Sequence, residues 1–197
     1  PRASTSKNVK TYYHTDEKPV YVPLDLILCQ NCMLLQLKHT TRPDLLWNDN
    51  YGYKSGVNET MKKELLNVVA SVEGLKRLED EDIVVDIGSN DGTLLSAYTN
   101  PNLIKVGYEP SRNVASLPNN HAQGSKVYVD FFSNIPFLQD FKTKKAKVIT
   151  SVAMFYDLED PNKFVEDIET ILDPEGVFII QQNYLVGMLE QNAFDNI

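Results

Sequence analysis

The chain has 197 residues, 42% of them hydrophobic and 23% charged, which is sufficient for one ordinary domain with a buried core and a small appendage. Its formal net charge of −8 argues against nucleic acid as the main partner, because a phosphate backbone is bound by clustered Lys and Arg. No apolar run approaches the roughly 20 residues of a membrane span, and the polar start has no signal-peptide core, so we expect a cytoplasmic protein without a membrane partner.

The first 50 residues are predicted to form a small N-terminal part. Residues 1 to about 20 are polar and without periodicity, which predicts loose order. The stretch 21–37 predicts a β-hairpin with Cys29 and Cys32 at its turn, and residues 43–50 predict a connector. Because the chain begins without Met and ends soon after a strand-like run, we expect it to be truncated at both ends.

Residues 51–197 are predicted to form an α/β domain. Apolar residues at helical spacing predict a helix over 58–78, capped by Asn58, and another over 161–172 with Phe164, Val165, Ile168, Ile171 and Leu172 facing inward. A third helix is expected to begin at Thr93. The predicted strands are 83–87, 104–108, 126–129, 146–151 and 177–180, with a turn at 173–176. Strands that alternate with helices predict a mostly parallel, Rossmann-like sheet with helices on both faces.

A glycine loop connects the first of these strands to a helix. It contains Asp86, Gly88, Ser89, Asn90 and Gly92. The pattern differs from the dinucleotide spacing G-x-G-x-x-G and resembles D-x-G-x-G-x-G, the first motif of class I methyltransferases, with Asn at the middle glycine. Asn tolerates the left-handed conformation that such a position requires. S-adenosylmethionine (SAM) has no phosphate but carries an amine and a sulfonium, so an acidic residue beside the loop favours SAM over a dinucleotide.

Acidic residues also follow the next two strands, at the sheet edge where open α/β proteins bind ligands. Glu109, followed by Pro110, is placed to accept hydrogen bonds from the ribose hydroxyls. Asp130 is placed to accept one from the adenine amino group, and Phe131 to pack on the ring. Ser151, at the end of the fourth strand, completes the predicted cofactor site. Taken one at a time, each residue could also be a solvated or turn residue.

Together with Tyr51 to Gly56 and the Cys pair, these motifs resemble the sugar C-methyltransferases, which are SAM-dependent. The resemblance runs from about residue 21 to the end and includes the stretches 155–161 and 181–185. It implies an N-terminal zinc-binding domain, a SAM domain and a further C-terminal part. The family holds zinc with two Cys-x-x-Cys pairs, whereas this chain has only Cys29 and Cys32, so the site is incomplete. Reduced cysteines or a disulfide are the alternatives.

The resemblance also implies a reaction. A base removes a proton beside the ketone of a nucleotide-linked deoxy sugar, and the enolate carbon attacks the SAM methyl group. The family's important His-containing stretch lies downstream of the segment that resembles 194–197, so the base is expected beyond this chain. Tyr51, Tyr53 and Tyr156 are the candidates for contact with the small-molecule substrate, or alternatively core or interface aromatics. Tyr156 would be a poor base at its ordinary pKa.

Two other functions stay open at this point. The chain could be a non-catalytic fragment that binds SAM or a nucleotide, which the incomplete zinc set favours if the chain is complete. It could also be an NAD-dependent oxidoreductase domain, against which the absent third glycine counts. Binding of SAM rather than NAD distinguishes these possibilities.

Overall fold

The computed structural model describes residues 2–4, 21–23, 25–121 and 125–192. The chain divides into two compact units, one of residues 53–182 and the other of residues 1–52 with 183–197. Whether a domain boundary falls at residue 50, as predicted, stays a prediction. Within the described ranges, every helix is too short or too polar to span a bilayer.

Nine strands and seven α-helices make up the described residues. In chain order the strands are β1 (Arg2–Ser4), β2 (Tyr21–Pro23), β3 (Leu26–Leu28), β4 (Leu35–Leu37), β5 (Ile83–Ile87), β6 (Ile104–Tyr108), β7 (Ser125–Tyr128), β8 (Ala146–Val152) and β9 (Leu172–Gln181). The helices are α1 (Pro43–Leu46), α2 (Glu59–Leu75), α3 (Thr93–Ser96), α4 (Arg112–Ala115), α5 (Asn134–Phe141), α6 (Pro161–Ile171) and α7 (Leu185–Glu190). Single 3₁₀ turns cover Ser55–Val57, Pro118–His121 and Phe155–Asp157.

The smaller unit contains two antiparallel strand pairs. β1 pairs with β2, and β3 pairs with β4 so that Leu26 lies opposite Leu37. The second pair is the predicted hairpin, with both cysteines in its connection. The predicted connector 43–50 contains α1, where Pro43 occupies a position that tolerates proline because no N–H is needed there. Residues 5–20, for which loose order was predicted, lie outside the described residues.

The larger unit is built on a parallel sheet in the order β7-β6-β5-β8-β9. Every neighbouring pair in it is parallel. The continuous apolar run of β5 lies at its centre, where a strand is covered on both faces. This arrangement confirms the predicted Rossmann-like α/β class.

Helices cover the two faces of this sheet. Alternate side chains of a strand point to opposite faces, so Ile83, Val85 and Ile87 share one core with Phe137 of α5 and Phe164 of α6. On the other face, Val84 packs in a second core with residues of α2 and α3, among them Leu65, Val69, Val72, Leu94 and Leu95. Asp86 shares the alternation of Val84 and therefore belongs to that second face.

The helices match their predictions except at the margins. Asn58 caps α2 as expected, since its Oδ1 accepts hydrogen bonds from the N–H groups of Thr60 and Met61 at 2.9 and 3.3 Å. The helix ends at Leu75 rather than Leu78. Val165 was predicted to face inward but is 45% exposed. It follows Phe164 by one residue, and a helix turns far enough in one residue to move a side chain off the buried stripe.

Two strands differ from their predicted bounds. β7 ends at Tyr128, and Val129 is exposed beyond it. β9 extends from Leu172 to Gln181 and includes the predicted turn, because its pairing with β8 shifts register between Ala146 and Val148. Inside that irregularity the Glu175 N–H donates to Oδ1 of Asp173 at 3.0 Å, which is the local bond expected of a turn.

Candidate functional site

The glycine loop leaves the centre of the sheet with alternate residues in the left-handed region. Gly88 and Gly92 both have φ of 77°, and Asn90 between them has φ of 51°. The N–H groups of Gly88 and Ser89 donate to the Tyr108 carbonyl at 2.9 and 3.0 Å, which ties the loop to β6. The conformation expected for Asn90 is therefore confirmed, and the loop is a hydrogen-bonded turn between β5 and α3.

The two glycines are required for different contacts. A Cβ on Gly88 would lie 3.3 Å from Cγ of Met154, on the side where β8 ends. A Cβ on Gly92 would lie 2.9 Å from the Asn120 nitrogen and 3.0 Å from the Asn119 carbonyl carbon. Gly92 is thus required by the approach of another backbone segment.

Replacing Gly92 by alanine is expected to lower the free energy of unfolding by about 2–4 kcal/mol. Alanine at a left-handed φ costs about 1–2 kcal/mol, and the contact with the Asn119–Asn120 backbone adds to that. Gly74 is the matched control, because it lies in α2 with nothing within 4 Å of its Cβ position. Gly74→Ala should be neutral or stabilise by up to about 1 kcal/mol. Urea denaturation of both variants tests the difference; equal effects would contradict it.

Glu109 directs its carboxylate at the glycine loop. Oε2 accepts the Asn90 N–H at 3.0 Å and Oε1 accepts the Ser111 N–H at 2.8 Å. Pro110, between Glu109 and Ser111 in sequence, has no N–H to donate. The side chain is 5% exposed. Burial raises the pKa of Glu109, while the bonds from Ser111 and Asn90 act in the opposite direction. A carboxylate has about four acceptor positions, so two remain beyond these N–H groups.

Asp86 is a second buried carboxyl beside the loop. The Thr150 hydroxyl donates to its Oδ1 at 2.6 Å, and the residue is 4% exposed. Desolvation raises the pKa of Asp86 to about 7; the Thr150 hydrogen bond opposes this rise and the charge of Glu109 adds to it. Asp86 is therefore close to half-ionised at neutral pH, and a cation placed beside it would favour the ionised form.

The other predicted cofactor residues follow neighbouring strands. Ser151 pairs with Ile87 in the sheet and is fully buried; its hydroxyl has no hydrogen-bond partner in the described part of the chain. Asp130 and Phe131 come after β7 and are exposed, and Oδ1 of Asp130 accepts the Phe131 N–H at 2.8 Å. The strand order brings the carboxyl ends of β5, β6 and β7 side by side, so these residues share one edge of the sheet.

The three candidate tyrosines are placed differently. Tyr51 belongs to the smaller unit, where its ring meets that of Trp47 edge-on at 5.3 Å. Tyr53 and Tyr156 belong to the larger unit, and each ring is more than two-fifths exposed. Desolvation, with smaller effects of Asp157 and Tyr53, raises the pKa of Tyr156. A raised pKa keeps the phenol protonated, so Tyr156 can donate a hydrogen bond but is a poor proton acceptor.

Cys29 and Cys32 lie in the connection between β3 and β4. Both are free thiols, which leaves the alternative of a disulfide unformed. The N–H groups of Cys32 and Asn31 are directed at the Cys29 sulfur and lower the pKa of Cys29. Among the described residues, no group of three or more His, Cys, Asp or Glu side chains could hold a metal ion. The described residues do not complete a zinc site.

Sequence reasoning missed three contributors to the site. Thr150 binds Asp86, Asn120 donates from Nδ2 to the Asn90 carbonyl at 2.8 Å, and the segment 53–56 docks on the loop. Thr150 was inside a predicted strand, and a hydroxyl in such an apolar run was a signal that a polar partner is buried nearby. Nothing local identified the partner of Asn120.

Comparisons with known proteins identify the family of the chain. The model of the methyltransferase domain family matches residues 56–195. C-methyltransferase NovU of Streptomyces niveus is 27% identical over 177 residues, which cover 89% of this chain and 41% of NovU. Carboxy-S-adenosyl-L-methionine synthase of Nautilia profundicola is 30% identical over 127 residues, 62% of this chain and 53% of that enzyme. The chain thus spans about half the length, or less, of these relatives.

Solved structures resemble the larger unit's architecture. The plantazolicin methyltransferase BpumL in complex with SAH superposes with a TM-score of 0.54 at 16% identity, covering 71% of this chain and 53% of BpumL. The complex of BpumL with a monoazolic desmethylPZN analogue and SAH gives 0.55 over the same shares. At this identity the likeness concerns the fold, and it confirms the methyltransferase type of Rossmann-like sheet. Since the family model covers most of the sequence, the chain belongs to the methyltransferase domain family.

Proposed function

We propose that the chain binds SAM at the glycine loop and serves a SAM-dependent methyltransferase. The observation that carries this proposal is the buried carboxylate of Glu109, directed at a loop that Asp86 flanks on the other strand. Asp86, which precedes the loop, would repel a pyrophosphate there but attract the ammonium group of SAM, while Glu109 would accept hydrogen bonds from the ribose diol. The chain's membership of the methyltransferase domain family supports the same ligand.

Different residues would contact different parts of SAM. Glu109 would accept from the ribose hydroxyls, Asp86 would face the amine, and Asp130 with Phe131 would hold the adenine, as the likeness to the family implies. Gly88 has no side chain, and a Cβ there would reduce the space beside Met154. SAM supplies an electrophilic methyl group on a sulfonium, and the protein's part is to place that methyl group and an acceptor in line.

For the acceptor we propose a small molecule methylated at carbon, such as a nucleotide-linked keto sugar. The relative NovU carries the name C-methyltransferase, which supports a carbon acceptor. Tyr53 and Tyr156 have exposed rings in the same unit, and the effect of Tyr53 on the pKa of Tyr156 indicates that they lie close enough to interact. Phenol hydroxyls at that place would donate hydrogen bonds to an enolate oxygen as charge develops there.

Titration with SAH, SAM and NAD tests the proposed function. A ligand at a hundredfold excess over its Kd stabilises the fold by about 2.7 kcal/mol, which raises Tm by about 5–10 °C for a chain of this size. We expect that shift with SAH and SAM and none with NAD. Stabilisation by NAD alone would overturn the proposal in favour of an oxidoreductase domain. Methyl transfer from SAM to a keto sugar would support the proposed acceptor, whereas transfer only to other small molecules would overturn it.

A further inference from the structure

Asn90 is the most completely engaged polar residue of the loop. Its N–H donates to Glu109 and its carbonyl accepts from Asn120. Its side chain faces the segment 53–56, where Oδ1 accepts the Ser55 N–H at 2.9 Å and Nδ2 donates to the Tyr53 carbonyl at 3.1 Å. The residue is 8% exposed. Glycine would satisfy the left-handed backbone equally well but offers no side chain, so the amide has a separate purpose.

A second contact fixes the same segment beside Asn90. The Gly56 N–H donates to Oδ2 of Asp91 at 2.7 Å, and the other Asp91 oxygen accepts the Thr93 hydroxyl at 2.6 Å. A Cβ on Gly56 would lie 2.8 Å from Oδ2 of Asp91 and 2.7 Å from the Thr93 hydroxyl. The backbone of segment 53–56 therefore lies directly on the loop, held by the side chains of two consecutive loop residues.

We propose that Asn90 is a positioning residue that couples occupation of the cofactor site to the order of segment 53–56 and thereby to the placement of Tyr53. This inference rests on the proposed function. A ligand whose hydroxyls bind Glu109 restricts that carboxylate, and the carboxylate holds the Asn90 N–H. Restricting the Asn90 backbone restricts its side chain, which holds Ser55 and Tyr53. Binding at one end of this chain of bonds thus suppresses local opening at the other.

The coupling would fix Tyr53 in place when the cofactor site is filled. Tyr53 is a candidate for contact with the acceptor, and its carbonyl is bound by a loop residue rather than by its own neighbours in sequence. With the cofactor site empty, the Asn90 amide and the Asp91 carboxylate hold segment 53–56 on a loop that no ligand restrains. With the site filled, the loop itself is fixed, and the Tyr53 side of the acceptor site is fixed with it.

Hydrogen–deuterium exchange of the Ser55 and Gly56 amides tests the coupling, with SAH as the probe. In the unmodified chain, saturating SAH should slow both amides by about tenfold. Asn90→Gly keeps the backbone conformation and removes the amide, so free-protein exchange at Ser55 should rise by about tenfold. SAH should still bind within about tenfold of its original affinity, but it should no longer slow the two amides. Asn192→Gly is the matched control, because Asn192 is also left-handed but is exposed.

A second variant approaches the contact from the other side. Ser55 is the first residue of a 3₁₀ turn and follows an extended Lys54, so proline fits there and removes only the N–H that Asn90 accepts. Ser55→Pro leaves the bond from Asn90 Nδ2 to the Tyr53 carbonyl, so it should weaken the SAH effect on Gly56, and it decides the question if Asn90→Gly fails to fold.

The outcomes separate the two proposals. A merely structural Asn90 would speed exchange in the free protein but leave the slowing by SAH intact. SAH binding with undiminished slowing in either variant overturns the coupling and leaves the proposed function standing. Failure of SAH to bind the unmodified chain overturns the proposed function, and the coupling with it.

Discussion

Glu109→Ala is expected to weaken SAM binding by about 10²–10⁴-fold. The carboxylate would make two charge-assisted hydrogen bonds to the ribose hydroxyls, each worth about 1.5–3 kcal/mol. The variant also leaves the Asn90 and Ser111 N–H groups without their acceptor, so Tm should fall as well. Isothermal titration with SAM at a temperature where the variant is folded measures the affinity separately from the stability.

Two further variants serve as comparisons for the loss of SAM affinity in Glu109→Ala. Glu109→Gln keeps the shape and one acceptor oxygen but loses the charge, so its affinity should lie between those of the alanine variant and the unmodified chain. Glu166→Ala removes an exposed glutamate on α6 and should bind SAM unchanged. If Glu109→Ala bound SAM normally while remaining folded, the ribose assignment of Glu109 would be wrong.

Asp86 is expected to make both stability and cofactor affinity depend on pH. Its folded-state pKa of about 7 lies above the ordinary value of 3.8, so the folded protein holds a proton that the unfolded chain releases between those values. The free energy of unfolding of the ligand-free protein should therefore fall by a few kcal/mol as pH rises from about 4 to about 7. Urea denaturation across this range measures the slope.

The affinity for SAM should rise with pH, whereas the free energy of unfolding falls. An ammonium group beside Asp86 favours the ionised form, so SAM should bind more tightly as pH rises, by up to about tenfold per unit below the pKa, and level off above it. Asp86→Asn keeps an oxygen for the Thr150 hydroxyl and cannot ionise, so it should flatten both profiles. A pH slope that survives in Asp86→Asn would assign the titration to another group.

The sheet could be predicted because its signals are local. The apolar run at Ile83–Ile87, the glycines that follow it and the Asn58 cap each determine a nearby backbone conformation. Val165 shows the limit of such signals, because periodicity locates a buried stripe only to within a residue. The irregular start of β9 depends on its pairing with β8, a partner that the turn sequence does not specify.

The site was predictable in its residues but not in its connections. Asp86 and Glu109 could be identified from their positions at strand ends, whereas the Thr150 hydroxyl that binds Asp86 comes from a different strand. Asn90 was correctly predicted to adopt a left-handed backbone conformation, yet its amide proved to bind a segment far from it in sequence. Long-range hydrogen bonds of this kind are set by the assembled fold, and one sequence alone does not specify them.

The order of the strands also governs when the protein can acquire its shape. The centre of the sheet, residues 83–87, is completed on one side by residues 104–108 but on the other only by residues 146–151. As the chain emerges from the ribosome, one edge of the central strand therefore has no hydrogen-bonded neighbour until residues 146–151 have been synthesised. During that interval the nascent chain exposes an unpaired edge of an apolar strand, so we expect misassociation to be most favourable before residues 146–151 have emerged.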